Sequence, residues 1–353
     1  LELNPSGSAL LYSTFLWQQD YYGLAAIAVD PQGNVYMAGD TEAPYFPLNG
    51  GPWFCPGCQG NYGQLGFLAK FNGSGQPVAG TLFGPAFTLL SSVAVDAAGN
   101  VWVGGATTNS GFPVANPIQA AFGGGGQDGI VAELSPDLGT LEFSTFLGGS
   151  AYDTVNRVVV GPGGDAFFAG SSTSPNLPAT QGVFQAGFAG NSDAFAGRIS
   201  SLAHALVYLT YLGGTGNDRA NALAVNPAGD LFVAGSTDSP DFPLQSPLQG
   251  NDQGGLDAFV SELDPAGAAL LFSTYLGGAA DDSASAVALG PDGSVFLAGA
   301  TSSTNFPVLH ALQPQEGGGT DGFVVKIGTV SAAGLTLAGV NPQEAGSGGD
   351  ASL

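Results

Sequence analysis

The chain predicts an all-β fold: a five-bladed β-propeller of four-stranded antiparallel blades, closed into a ring by its own N-terminal strand. Three observations carry this. A motif centred on Thr14, Thr81, Thr145, Thr210 and Thr274 (STFLWQ, GTLFGP, STFLGG, LTYLGG, STYLGG) returns at gaps of 67, 64, 65 and 64 residues. A second landmark keeps the same step, at Phe46-Pro47, Phe112-Pro113, Leu177-Pro178, Phe242-Pro243 and Phe306-Pro307. Between the landmarks, short apolar alternations break at Gly, Pro, Asn and Asp, as short strands joined by tight turns do. Repeats of this length that read as strands stack around an axis or along one, rather than share a single core.

The fourth repeat shows the unit most clearly. ALAVN (222–226) runs into the turn Pro227, Ala228, Gly229, Asp230 and returns as LFVAG (231–235). A connection of about twenty residues leads to DAFVSEL (257–263), and Asp264, Pro265, Ala266 and Gly267 turn the chain into ALLFSTYL (269–276). The other first hairpins turn at PQGN (31–34), AAGN (97–100), PGGD (162–165) and PDGS (291–294), where Gly supplies the positive φ of a tight hairpin. First strands are expected at Ala25–Val29, Ser91–Val95, Arg157–Val160, Ala222–Val225 and Ala286–Leu289. Third strands follow at Phe67–Phe71, Ile130–Leu134, Phe195–Ile199, Phe259–Leu263 and Phe323–Ile327. Fourth strands are expected at Leu10–Leu16, Val78–Phe83, Leu141–Leu147, Leu206–Leu212 and Leu270–Leu276. The chain thus opens on a fourth strand and ends its repeats after a third. Residues 10–16 are therefore expected to pair with Phe323–Ile327 and close the ring, which protects the sheet edges of an open array. The propeller then spans 1–328, with repeats near 17–83, 84–147, 148–212, 213–276 and 277–328, and 329–353 form a strand or linker tail.

The run STYLGG…D…AVA…PDGSVFLAG-T-S…FP…DGFVVKI resembles the bacterial β-propeller repeat labelled SBBP, and its first hairpin is more distantly similar to NHL repeats. The resemblance covers about residues 10 to 328. It implies a propeller of secreted or surface bacterial proteins and says little about chemistry. Its usual label implies seven blades where five repeats are counted here. Repeats one and two depart from the pattern, with WQQ and GPA in place of the GGx after the fourth strand. The NHL likeness implies that each first strand lies beside the central channel.

Composition fits a secreted β-protein, with 58 Gly, 23 Pro and 44% apolar residues. Acids outnumber bases 28 to 5, for a net charge of −23, so nucleic acid and anionic lipid should be repelled and cations attracted. No apolar run approaches the roughly 18 residues of a membrane span. The sequence starts at Leu1 without a basic-then-apolar leader, and the expectation is an extracellular or cell-surface protein whose signal peptide has been removed.

Few residues point to chemistry. Cys55 and Cys58 stand as CPGC in a stretch the other repeats lack. No His follows for haem attachment, no four-ligand zinc set is at hand, and no helix suggests a redox dithiol, so a small disulfide pinning a loop is expected. Asp153, Asp218 and Asp282 occupy one equivalent position after the Gly-Gly pair, with Asp281 adjacent. Two readings stand for them: a Ca²⁺ site built of carboxylates near the channel mouth, or three carboxylates that each accept backbone N–H groups of their own turn. Asp128, Asp193, Asp257 and Asp321 precede the third strands and are expected to cap turns. Lys70, Glu133, Arg198, Glu262 and Lys326 share a position within the third strand and are expected to form exposed pairs. His204 and His310 read as surface residues.

The predicted first strands hold no acid, and the HExxH, GxSxG, P-loop and EF-hand patterns are absent. The sequence is therefore read as no enzyme, without cofactor, calcium apart. The expected role is a surface scaffold that self-assembles as an oligomer or filament through its terminal strands, Leu335–Val340 among them. A multivalent glycan-binding propeller is the alternative, with a surface glycan or protein as partner, and a polysaccharide-active enzyme comes last.

Overall fold

A computed structural model describes residues 2–13, 22–42, 54 and 63–328. Within them the chain is all β-strand, without helix. A short hairpin, β1 (Glu2–Leu3) with β2 (Leu10–Tyr12), comes first. Five antiparallel sheets follow in chain order. The first holds β3 (Tyr22–Val29), β4 (Val35–Thr41), β5 (Leu65–Phe71) and β6 (Pro77–Phe83). The second holds β7 (Thr88–Val95), β8 (Val101–Thr107), β9 (Asp128–Leu134) and β10 (Leu141–Leu147). The third holds β11 (Asp153–Val160), β12 (Ala166–Ser172), β13 (Asp193–Ser200) and β14 (Ala205–Leu212). The fourth holds β15 (Asp218–Val225), β16 (Leu231–Thr237), β17 (Asp257–Leu263) and β18 (Leu270–Leu276). The fifth has three strands: β19 (Asp282–Leu289), β20 (Val295–Thr301) and β21 (Asp321–Ile327).

The first strands begin three or four residues earlier than alternation suggests, because each contains a β-bulge. The ladder slips between Leu24 and Ala26, Leu90 and Ser92, Val155 and Arg157, Ala220 and Ala222, and Ala284 and Ala286. One extra residue flips the inside-outside order, so the pattern appears to start only after it. The bulge also explains the Gly that ends each second-strand run, as in LFVAG. It presses the first strand's backbone onto that residue: a Cβ at Gly235 would collide with the carbonyl of Arg219, and one at Gly170 with that of Thr154.

The bulged residues also join the sheets. Ser91 Oγ donates to Val155 O (2.6 Å), Asn156 Nδ2 to Ala220 O (2.8 Å) and Asn221 Nδ2 to Ala284 O (3.1 Å). Each bond runs from one first strand to the next, and the first strands of all five sheets line one central cavity of about 390 Å³ through Ala28, Val93, Val159, Leu223 and Val287. Arg157 is the one charged residue in its wall. Apolar side chains pack between neighbouring sheets, for example Tyr36, Phe83, Phe112, Ile130 and Phe146 between the first and second. Aromatic layers of this size supply most of the inter-sheet stabilisation.

The expected ring closure is not what the described residues show. Leu10–Tyr12 pair with Glu2–Leu3 and not with β21, and residues 14–16 of the expected closing strand lie outside the described residues. Ser285, the fifth bulged residue, is exposed, and so are Leu24, Ile27 and Val29 of the first sheet and Val324, at 70%, on β21. Among the described residues no strand pairs with β21 on its outer side or joins the fifth sheet to the first.

Candidate functional site

Two features stand apart from plain packing: an incomplete outer lane on the fifth sheet, and a set of buried carboxylates at the junctions between sheets.

The lane is understood from the complete sheets. There the Thr of the recurring motif holds the long connection between second and third strands. Thr145, Thr210 and Thr274 accept on Oγ1 from the backbone N–H of Gln119, Gln185 and Gln249 at 2.8, 2.9 and 2.9 Å. Each hydroxyl can also donate along its own strand, to the carbonyl of Phe146, Tyr211 or Tyr275. The three Gln side chains then accept on Oε1 from the first Gly after the outer strand, Gly148, Gly213 and Gly277. Their Nε2 groups donate to Ala121 O, Gly187 O and Asn251 O. In the fifth sheet Gln313 stands at the same position with the same turn, its Nε2 donating to Gln315 O (3.0 Å). No described outer strand supplies the Thr and Gly that its equivalents meet. In its place lies a groove of about 430 Å³ walled by Phe306, Leu309, Leu312, Gln313 and Val324.

The second landmark has a matching explanation. Phe112, Leu177 and Phe242 are buried plugs, and Phe306 stacks on Phe323 at 4.7 Å. Tyr211 Oη donates to Ser174 O and accepts from Leu177 N–H (2.6 and 2.8 Å), and Tyr275 does the same with Ser239 O and Phe242 N–H (2.6 and 3.1 Å).

Asp153, Asp218 and Asp282 are fully buried, each as the first residue of a first strand, so three of the five inner strands do begin with acids. The structure does not bring the three together. Each takes its hydrogen bonds from its own surroundings, with Oδ1 of Asp282 left without a partner: Asp153 accepts from Gly149 N–H (2.7 Å), Ser172 Oγ (2.5 Å) and Ser174 Oγ (2.7 Å). Asp218 accepts from Gly214 N–H, Ser239 Oγ and Thr237 Oγ1, and Asp282 from Gly278 N–H and Ser303 Oγ. Among the described residues no three His, Cys, Asp or Glu side chains form a metal-holding group.

What the structure brings together instead is pairs. Backbone N–H groups of Asp153, Asp218 and Asp282 donate to the carbonyls of Gln127, Ser192 and Leu256, the residues just before Asp128, Asp193 and Asp257. That bond sets two carboxylates from adjacent sheets against each other, with the first Gly of the Gly-Gly pair between them. A Cβ at Gly213 would meet both Asp193 Oδ1 and Asp218 Oδ2, and one at Gly277 both Asp257 Oδ1 and Asp282 Oδ2. All six aspartates are fully buried. Desolvation, opposed by their backbone hydrogen bonds and reinforced by the partner's charge, lifts Asp128 and Asp193 to about 6 and Asp257 to about 7.

Other charged residues depart from the sequence reading. Glu133 and Glu262 are buried rather than exposed. Glu133 pairs with His204 Nε2 of the next sheet at 2.8 Å, and His204 stacks on Phe143, so this histidine is an inter-sheet contact. Lys70 Nζ and Arg198 Nη1 instead reach the carbonyls of Pro136 and Pro265 in the next sheet's turn. Cys55, Cys58 and Leu335–Val340 lie outside the described residues.

No curated protein matches the sequence. Among solved structures, a protein of unknown function from Dyadobacter fermentans is 13% identical over 82% of this chain and 79% of its own, with a TM-score of 0.43. A mannose phosphorylase from Leishmania mexicana is 13% identical over 79% and 80%, with a TM-score of 0.34. A β-xylosidase/α-arabinofuranosidase from a compost metagenome is 12% identical over 92% and 96%, with a TM-score of 0.35. Two of these three are enzymes, and with that finding the reading of this chain as no enzyme is withdrawn. The outer strand of the third sheet and the first hairpin of the fourth, residues 207–243, match the family model of the SBBP β-propeller repeat.

Proposed function

We propose that the chain is an extracellular or cell-surface scaffold, a propeller of five blades that assembles through its incomplete fifth sheet. The observation that carries this is the contrast between four sheets with an outer strand, three of them clasped by a Gln–Thr pair, and a fifth with Gln313 in place and its lane open. Edges of this kind recruit strands by backbone hydrogen bonding, with side-chain pockets giving the selectivity. The occupant is the strand 10–16. Its STFL at 13–16 repeats the STFL at 144–147 residue for residue, and Thr14 is the one motif Thr that lies outside the described residues. In a scaffold the strand comes from a neighbouring copy. Tyr12 lies against Gly75 in the last turn of the first sheet, as Tyr208 of the third sheet's outer strand lies against Gly267 in the last turn of the fourth, so β2 sits where the outer strand of a preceding sheet would. A head-to-tail contact that does not close on itself produces filaments.

Light scattering on purified full-length protein tests the proposal. Oligomers are expected whose mass falls to that of a monomer when residues 1–17 are deleted. A full-length protein that stays monomeric at high concentration would end the scaffold reading and leave a binding propeller, to be pursued by glycan arrays.

A further inference from the structure

The junctions between the second and third, third and fourth, and fourth and fifth sheets share one construction that turn capping does not explain. In each, a carboxylate at the start of a third strand faces one at the start of the next first strand: Asp128 with Asp153, Asp193 with Asp218, Asp257 with Asp282. The second member of each pair accepts two or three hydrogen bonds on its own side. The first member differs. Asp128 and Asp257 use Oδ2 for the N–H groups of Gly123 and Gln253, and their Oδ1 atoms, fully buried, have no partner, nor has Oδ1 of Asp282; Asp193 accepts on both oxygens, from Ala189 N–H and Gln185 Nε2 on Oδ2 and from Gly190 N–H on Oδ1. An orphaned carboxylate oxygen inside a protein costs the full loss of its hydration. The Oδ1 atoms of Asp128 and Asp257 point toward the intervening Gly, where at the fourth junction Asp282 Oδ2 stands on the other side.

We propose that the pairs Asp128–Asp153 and Asp257–Asp282 each share one proton, carried by Asp128 or Asp257 and donated to the aspartate of the next sheet, so that adjacent blades are latched in acid and loosen as the pairs ionise. A proton on Oδ1 turns an unsatisfied acceptor into a donor aimed at an ionised carboxylate, which is how two close carboxyl groups avoid both being charged. Asp252, in Asp257's own connection, also reaches that carboxyl. The groups that face Asp257 are Asp282 and Asp252; Asp193 faces Asp218 and the Tyr211 hydroxyl; Asp128 faces Asp153; and Asp238 adds its charge beside Asp218. Among the described residues the ion pairs are Arg198–Asp165, His204–Glu133 and Lys326–Asp292, so no cation reaches any of the six. The junction of the first and second sheets has Leu65 and Thr88 at these positions and carries no such latch. The fifth sheet's own Asp321 is only half-buried.

The sign of the effect follows from linkage. These carboxyls hold their proton more tightly folded than unfolded, where an aspartate titrates near 4. Their contribution is therefore fully present below about pH 4 and is lost as pH rises through 6 to 7. The whole chain suits such a setting. With 5 Lys and Arg and 2 His, it cannot build up the large positive charge that unfolds most proteins in acid.

Thermal melting of the full chain from pH 4.5 to 8.5 tests the latch, with Asp257→Asn and Asp257→Ala beside the native protein. The native Tm is expected to fall by roughly 5 °C or more across this range. Repulsion among surface acids lowers Tm in the same direction, so the variants decide. Asn keeps the shape and donates an N–H to Asp282 at every pH. It should raise Tm at pH 8 and flatten the slope, whereas Ala should lower Tm at both ends. Infrared spectra give a second readout: a protonated-carboxyl C=O band at pH 5.5 that weakens in Asp257→Asn. An Asn variant as unstable as Ala at pH 8, or native protein with no protonated-carboxyl band at pH 5.5, would overturn the proposal.

Discussion

Tyr211 and Tyr275 show how much one side-chain atom can hold. Each hydroxyl satisfies a carbonyl and an N–H of the long connection in its sheet, but the two are not equivalent. Phe242 N–H has a second acceptor in Ser239 O at 3.2 Å, while Leu177 N–H is held by the Tyr211 hydroxyl at 2.8 Å. Tyr211→Phe is therefore expected to cost about 1–3 kcal/mol and Tyr275→Phe about 1 kcal/mol, measured by denaturant unfolding. Glu262 gives a residue-scale pH test. It is buried beside Asp230, its carboxyl is lifted to about 7 by desolvation, and it contributes stability in acid that is lost as pH rises through 7. Glu262→Gln should leave Tm nearly unchanged at pH 5 and raise it at pH 8; equal shifts at both pH values would contradict this. The repeated Thr and Phe-Pro were legible in the sequence as landmarks, but their partners were not. Gln119, Gln185, Gln249 and Gln313 lie in a connection without alternation, and only the fold reveals that they answer the Thr.

At the scale of the strand, the bulge governs both what could be read and what should break. Third and fourth strands were legible almost to the residue because their shared ladder slips only beside the turn that joins them: Leu141–Leu147 and Leu270–Leu276 have the bounds expected from the sequence. The first strands were shortened because the bulged residues 25, 91, 156, 221 and 285 invert the alternation. Asp153, Asp218 and Asp282 were thereby assigned to loops, and their pairing with Asp128, Asp193 and Asp257 in adjacent sheets was hidden. Bulge and glycine are coupled. Gly235→Ala pushes a methyl group into the Arg219 carbonyl, which the ladder holds on both sides, and is expected to cost at least 3 kcal/mol or to prevent folding. Asn221→Ala removes one inter-sheet bond to Ala284 O and is expected to cost about 1 kcal/mol. Comparing their unfolding midpoints checks the ranking; a mild Gly235→Ala would mean that the bulge relaxes freely.

For the whole molecule, the count of repeats predicted five sheets, and five are present among the described residues, but the join between the ends did not follow from the count. A fourth-strand sequence at the start and a missing fourth strand at the end are complementary whether they meet in one chain or between two. Sequence alone favours the shorter path. The described structure keeps Leu10–Tyr12 with Glu2–Leu3 and leaves β21 as an edge, the arrangement on which the proposed assembly rests. The complete sheets fix the register of the inserted strand: Thr274 pairs with Val260 and Thr210 with Ala196, which places Thr14 opposite Val324. Disulfide trapping is the most direct measurement. In a background with Cys55 and Cys58 changed to Ser, protein carrying Thr14→Cys is mixed with protein carrying Val324→Cys and oxidised. A covalent dimer of the two variants is the predicted result; a bond that forms only when both substitutions share one chain, or no bond at all, would contradict assembly through the open fifth sheet.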